Sequence, residues 1–162
     1  MAEAVARFGG PAPEEIDRRL RDAAVADADR AEALLLEARD LDPACLPVYF
    51  ALYKHYFYRS RLAEAEQITL TALEAAARQG GFAPDWRNLE VDTAPWSGAS
   101  GPIRFFLFSL KALAFIRLRR GAPDEAAAIL AKLGEIDPLD QVGATVIRDI
   151  AAGVSTGHEV AP

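Results

Sequence analysis

An all-α fold of stacked helix pairs is what the sequence predicts, on three observations. Residues 105–138 hold two apolar runs at helical spacing, Leu110, Leu113, Ala114 and Leu118, then Ala126, Ile129, Leu130 and Leu133. The run Arg120-Gly121-Ala122-Pro123 separates them, and Asp137-Pro138 ends the second, because a residue before proline is biased away from helical geometry. The second run also recurs: Ala31, Ala65 and Ala126 occupy one slot in three helices. Ala31 and Ala65 lie 34 residues apart, while Ala65 and Ala126 lie 61 apart, one period plus an insertion of 27. A small side chain is needed in that slot because the two helices of a pair cross there. The prediction is three helix pairs and a C-terminal capping helix, a short right-handed solenoid.

Taken in order, residues 1–12 read as a flexible N-terminus and residues 13–152 as one domain. Pro13-Glu14-Glu15 opens the first helix, with proline tolerated in the first turn and acids at the positive end of the dipole. Ile16, Leu20, Ala23 and Ala24 give it an apolar stripe, and a partner helix over residues 29–40 stops at Asp42-Pro43. The next helix is unusually aromatic, with Tyr49, Phe50, Tyr53, Tyr56, Phe57 and Tyr58 in ten residues. Arg59-Ser60-Arg61 is its turn, and a second helix runs from Leu62 to the stop at Gly80-Gly81. An insert over residues 80–102 carries both tryptophans, Trp86 and Trp96, and a short helical turn over residues 84–89. Two tryptophans argue for an ordered insert, expected to lie against the groove side. After Pro138, Asp140 caps a last helix with the stripe Val142, Val146, Ile147 and Ile150, expected to cover the final repeat. Residues 153–162 read as a disordered tail.

These features resemble the tetratricopeptide repeat (TPR) family. The likeness rests on Leu113-Ala114, the turn glycine Gly121, the small Ala126, Leu130 in the aromatic slot, the Asp-Pro stop and the in-phase copies around Ala65 and Ala31. It covers residues 14–138. Arg117 departs, standing where the repeat places a tyrosine, and Arg18 and Arg19 stand in the Leu-Ala slots of the first pair, which reads as a cap. The chain is also similar to small TPR proteins encoded among bacterial nitrogen-fixation genes, through YKHYFYRSRLAEAE, APDW, RFFLFSLKALAFIRLRRG and LDPLDQVGATVIRDIAAG. That second likeness implies a partner among nitrogenase components or maturation factors.

Composition narrows the function classes. The 162 residues suffice to bury about two-thirds of the unfolded surface. Eighteen basic and 24 acidic residues give a net charge of −6, which argues against the clustered basic footprint of a nucleic-acid binder. A lone cysteine, Cys45, excludes an intramolecular disulfide and fits a reducing compartment. No secretory signal is recognisable, and the most apolar stretch, residues 103–118, is short for a bilayer and holds Arg104, Lys111 and Arg117. A cytoplasmic protein without membrane association is expected.

No catalytic constellation is apparent, so no enzyme, cofactor or metal is expected. His55 reads as a packed histidine, Cys45 as a small buried filler, and the paired acids Glu14-Glu15 and Asp124-Glu125 as helix starts. What remains is a binding surface. In the TPR family the first helices of successive repeats line a concave groove. By slot, the resemblance places Phe50, Lys54, Phe57 and Tyr58 beside Phe108, Lys111, Phe115 and Arg119, with Trp86 and Trp96 added from the insert. Aromatic walls with a few cations suit an acidic, hydrophobic peptide. The dicarboxylate-clamping activity of TPR co-chaperones is not implied, because their lysine and asparagine slots hold Ile16 and Leu20 here. The expectation is a protein-interaction adaptor or assembly chaperone. The alternative is a homodimerisation module whose aromatic faces pair two protomers.

Overall fold

The computed structural model describes residues 12–155, which form seven α-helices, one 3₁₀ turn and no strand. The helices are α1 (Glu14–Val25), α2 (Ala28–Leu41), α3 (Leu46–Tyr58), α4 (Leu62–Gly80), α5 (Gly101–Arg119), α6 (Pro123–Ile136) and α7 (Ala144–Ser155), with the turn at Trp86–Asn88. The flexible N-terminus expected over residues 1–12 lies outside the described residues except Ala12, which packs against the core. Of the expected tail, residues 153–155 complete α7, and the rest lies outside.

Local chemistry sets the helix ends. Pro13 precedes α1, whose first turn carries Glu14, Glu15 and Asp17; the Asp27 side chain accepts from the Arg30 amide to cap α2. α4 stops at Gly81, whose φ of +81° is the left-handed conformation that satisfies the last carbonyls. α5 starts at Gly101, inside the expected insert, because Pro102 fits a first turn whose N–H groups are unpaired anyway.

Odd-numbered helices make one layer and even-numbered helices the other. α1, α3, α5 and α7 touch in sequence, and α2, α4 and α6 each pack against the two odd helices that flank them in the chain. This arrangement is compatible with TPR-like helix pairs. Ala31, Ala65 and Ala126 are all buried where the helices of a pair meet. The core runs without a break from Ile16 to Ile147, with Leu52, Phe105, Phe106, Leu110, Leu113 and Leu133 fully enclosed.

The position where Arg117 departs from the repeat has a physical account. Tyr56 holds the same slot one repeat earlier, and its hydroxyl donates to Glu32 Oε2 on α2 at 2.7 Å. Arg117 reaches Glu66 on α4 at 3.4 Å, and Arg120 donates to the other oxygen of that carboxylate at 2.9 Å. Glu32 and Glu66 each follow a crossing alanine, so one carboxylate slot receives the next repeat through a phenol in one case and a guanidinium in the other. Arg61 completes the first junction, donating to Glu32 at 3.0 Å and to Glu64 at 2.7 Å. Its hydrogen bond, followed by that of Tyr56, holds the Glu32 carboxyl below the usual range. Burial, then the bond to Glu32, pushes the Tyr56 phenol up to about 12.

Candidate functional site: an aromatic cleft on the odd-helix layer

α3 and α5 run side by side in the same direction, and two ring pairs join them. Phe50 meets Phe108 with centroids 5.5 Å apart, and two turns further on Phe57 meets Phe115 at 5.1 Å. Cations lie over these rings: Lys54 Nζ is 5.0 Å from the Phe50 centroid, Lys111 Nζ 4.3 Å from Phe108, and the Arg119 guanidinium 5.5 Å from Phe57. Tyr58 closes one end and remains 67% exposed.

The result is an open cleft of about 370 Å³. Eight of the ten residues expected to bind a partner are thus drawn together, seven lining the cleft and Arg119 stacked on its Phe57 edge. None of the lining residues is acidic.

α7 supplies a wall that the repeat slots do not predict. Val146, Ile147 and Ile150 line the cleft together with Phe57 and Tyr58 of α3. The expected stripe does not cover the last repeat along its whole length: Val146 is 60% exposed, while Ile147 and Val142, the latter ahead of α7, are buried. The apolar spacing marks these residues, but only packing divides them between core and cleft. Lys111 also acts outside the cleft. Its ammonium donates to the Val142 carbonyl at 2.6 Å and ties α5 to the segment leading into α7.

Trp86 and Trp96 are elsewhere, which corrects the expectation that the insert lies against the groove. Both are buried, at 7% and 3% exposure. Trp96 packs on Phe82 and Phe106, and Phe106 is not among the cleft-lining residues of α5. The Trp96 indole donates to the Glu90 carbonyl at 2.8 Å, and Lys132 on α6 donates to the Leu89 carbonyl at 2.6 Å. Gln141 holds the insert's far end: its amide nitrogen donates to the Trp96 carbonyl and its oxygen accepts from the Ala99 amide. A polar residue in a loop carries no sequence signal for this latch.

Cys45 is buried, and burial pushes its thiol up to about 11, which disfavours the thiolate. His55 is buried, and burial, then the neighbouring Arg59, holds its imidazole below the ordinary range. Among the described residues no group of three or more histidine, cysteine or acidic side chains is placed to hold a metal, and no helix is long and apolar enough to cross a membrane.

A 19.8 kDa protein of uncharacterised activity from the nifW 5′ region of Azotobacter chroococcum mcd 1 is 33% identical over 125 residues, spanning 75% of this chain and 70% of the relative. The chain belongs to the family of that protein. No family model matches the chain, and no solved structure matches it. Membership of the family of this nifW-region protein supports the nitrogen-fixation link that the sequence suggests, while the helix-pair packing is compatible with the TPR likeness.

Proposed function

We propose that the chain is a cytoplasmic, non-enzymatic adaptor or assembly chaperone whose odd-helix cleft docks an acidic, apolar segment of a partner protein during nitrogenase maturation. The supporting observation is the cleft itself: two ring pairs left partly open, bordered by Lys54 and Arg119, with no carboxylate among the lining residues of a chain whose net charge is −6. Charge of one sign on an apolar surface steers and selects a partner of the other sign. The same feature disfavours self-association, because a second copy laid face to face would set cations against cations. The relative's place beside nifW directs the choice of partners to nitrogenase components and their maturation factors.

Biolayer interferometry against purified nitrogenase components and maturation factors tests this reading. Saturable binding that weakens with salt is expected, falling by about tenfold or more in Phe57→Ala, since buried aromatic anchors dominate most interfaces. Lys54→Glu should mainly slow association. Lys111→Glu is the poorer probe, because it also removes the tie to Val142. Absence of binding to any of these proteins, or parental binding by both variants, would refute the proposal.

A further inference from the structure

A second hollow of about 260 Å³ lies between α1 and α3. Phe50, Lys54 and Tyr58 line both it and the aromatic cleft, so the two are halves of one path across the odd-helix layer, from α7 to α1. His55 lines only the second hollow. It is 7% exposed, and its Nε2 has no hydrogen-bond partner among the described residues. A buried polar atom left unpaired costs free energy that a suitably placed ligand group would recover.

The groups around the imidazole define that ligand. Lys54 and Tyr58 come from its own helix, Arg59 from that helix's C-cap, its guanidinium donating to the His55 carbonyl at 3.1 Å, and Arg61 from the following turn; α1 presents Leu20, Ala23 and Ala24, and α2 presents Ala31 and Leu35. Glu32 is the acid whose charge reaches it, and that carboxylate is already engaged by Arg61 and Tyr56. No acidic residue lines the hollow, and neither Lys54 nor Arg59 forms an ion pair among the described residues. The site is therefore apolar at its base, cationic at its border, and holds one buried nitrogen able to donate when it carries the proton.

We propose that this hollow is a second subsite on the partner's path, taking the carboxylate of an aspartate or glutamate on an apolar segment, with His55 Nε2 donating to it between Lys54 and Arg59. This rests on the cleft being a docking surface, and it adds a direction: the acid lies toward α1 and its apolar neighbours toward α7. Binding should leave a signature on the imidazole, because a carboxylate at that nitrogen favours the protonated ring.

The chain has two histidines, so His158 serves as the reference in imidazole nitrogen NMR. The probes are two capped tripeptides, Phe-Glu-Leu and Phe-Gln-Leu, added to the full chain. The Glu peptide should shift the His55 signals saturably, raise its titration midpoint by about one pH unit, and bind several-fold more tightly than the Gln peptide. Ala51 lines only the second hollow and Ala112 only the first. Ala51→Phe should abolish the His55 response, whereas Ala112→Phe should retain it. Should Ala51→Phe not fold, Arg59→Gln, at an exposed position, should lower the Glu peptide to the affinity of the Gln peptide. Equal binding of the two peptides, or binding that moves first-cleft signals but not His55, overturns the subsite and leaves the cleft standing. No response in either hollow overturns both.

Discussion

Two aromatic clusters share helix α5 and meet different fates. Phe106 packs with Phe82 at 4.9 Å and Trp96 at 6.1 Å, and the insert closes over them. Phe108 and Phe115 meet Phe50 and Phe57 at similar distances but keep an open side. What separates them is hydrogen bonding around the rings. The insert is fixed by bonds from Trp96, Lys132 and Gln141 to main-chain carbonyls, so its backbone can leave water and seal the first cluster. Over the second cluster, among the described residues, stand cations and the partly open wall of α7. Aromatic content alone thus does not separate the two clusters; the satisfied lid marks the structural one.

Truncation should break the comparison most sharply. Trp96→Ala removes the filling of a sealed cluster and should destabilise by about 3–5 kcal/mol, whereas Phe57→Ala, at a half-buried ring, should fall well below that in the same urea titration. Equal losses would mean that the cleft is as integral to folding as the insert. Next in size, Ala65→Leu and Ala126→Leu should each destabilise by about 1–3 kcal/mol through overpacking of a helix crossing. Both alanines are fully buried, and unchanged denaturation midpoints would contradict the repeat slot assigned to them.

A pH series sharpens the contrast between buried and open groups. His55 is held below its ordinary range, so the unfolded chain binds that proton more tightly than the folded one. Its contribution is present above the unfolded value of about 6.5 and is lost as pH falls below it. Glu32 is also held low, and the stability from its junction is lost only below about 4.3. Urea midpoints should therefore fall in two separate windows, with His55→Gln flattening the upper and Glu32→Gln the lower. A single window, insensitive to His55→Gln, would contradict the burial account.

The smallest effect concerns the two turns. Ser60 and Gly121 occupy one slot after α3 and α5, and both have positive φ, +58° and +81°. Only glycine adopts that conformation without strain, so Ser60→Gly should stabilise by less than about 1 kcal/mol, the relieved strain being partly offset by a more flexible unfolded chain. A lower melting temperature would show that the serine side chain stabilises the turn.

Most of the fold is legible in the sequence because its determinants are local: the alanine at each crossing, the Asp-Pro stops, the turn glycine and the apolar stripes. The cleft is legible to the extent that slots in a repeat translate into faces of a helix, which brings Phe50, Phe57, Phe108 and Phe115 together by number alone. Three features are not. The side on which the insert packs depends on Lys132 and Gln141, far from it in sequence. The division of α7's stripe between core and cleft depends on where the helix docks. The His55 nitrogen that lacks a partner among the described residues emerges only once its neighbours are placed.

The most direct test of the central claim uses two positions of nearly equal exposure. Tyr58 in the cleft and Val91 in the insert are 67% and 65% exposed, so access to solvent does not distinguish them. Each is replaced by the photo-crosslinker p-benzoylphenylalanine in cells growing on dinitrogen, and adducts are identified by mass spectrometry. The account predicts an adduct with a different protein from position 58 and none from position 91. Adducts from position 91 alone, or adducts from position 58 that contain only a second copy of the chain, would contradict it.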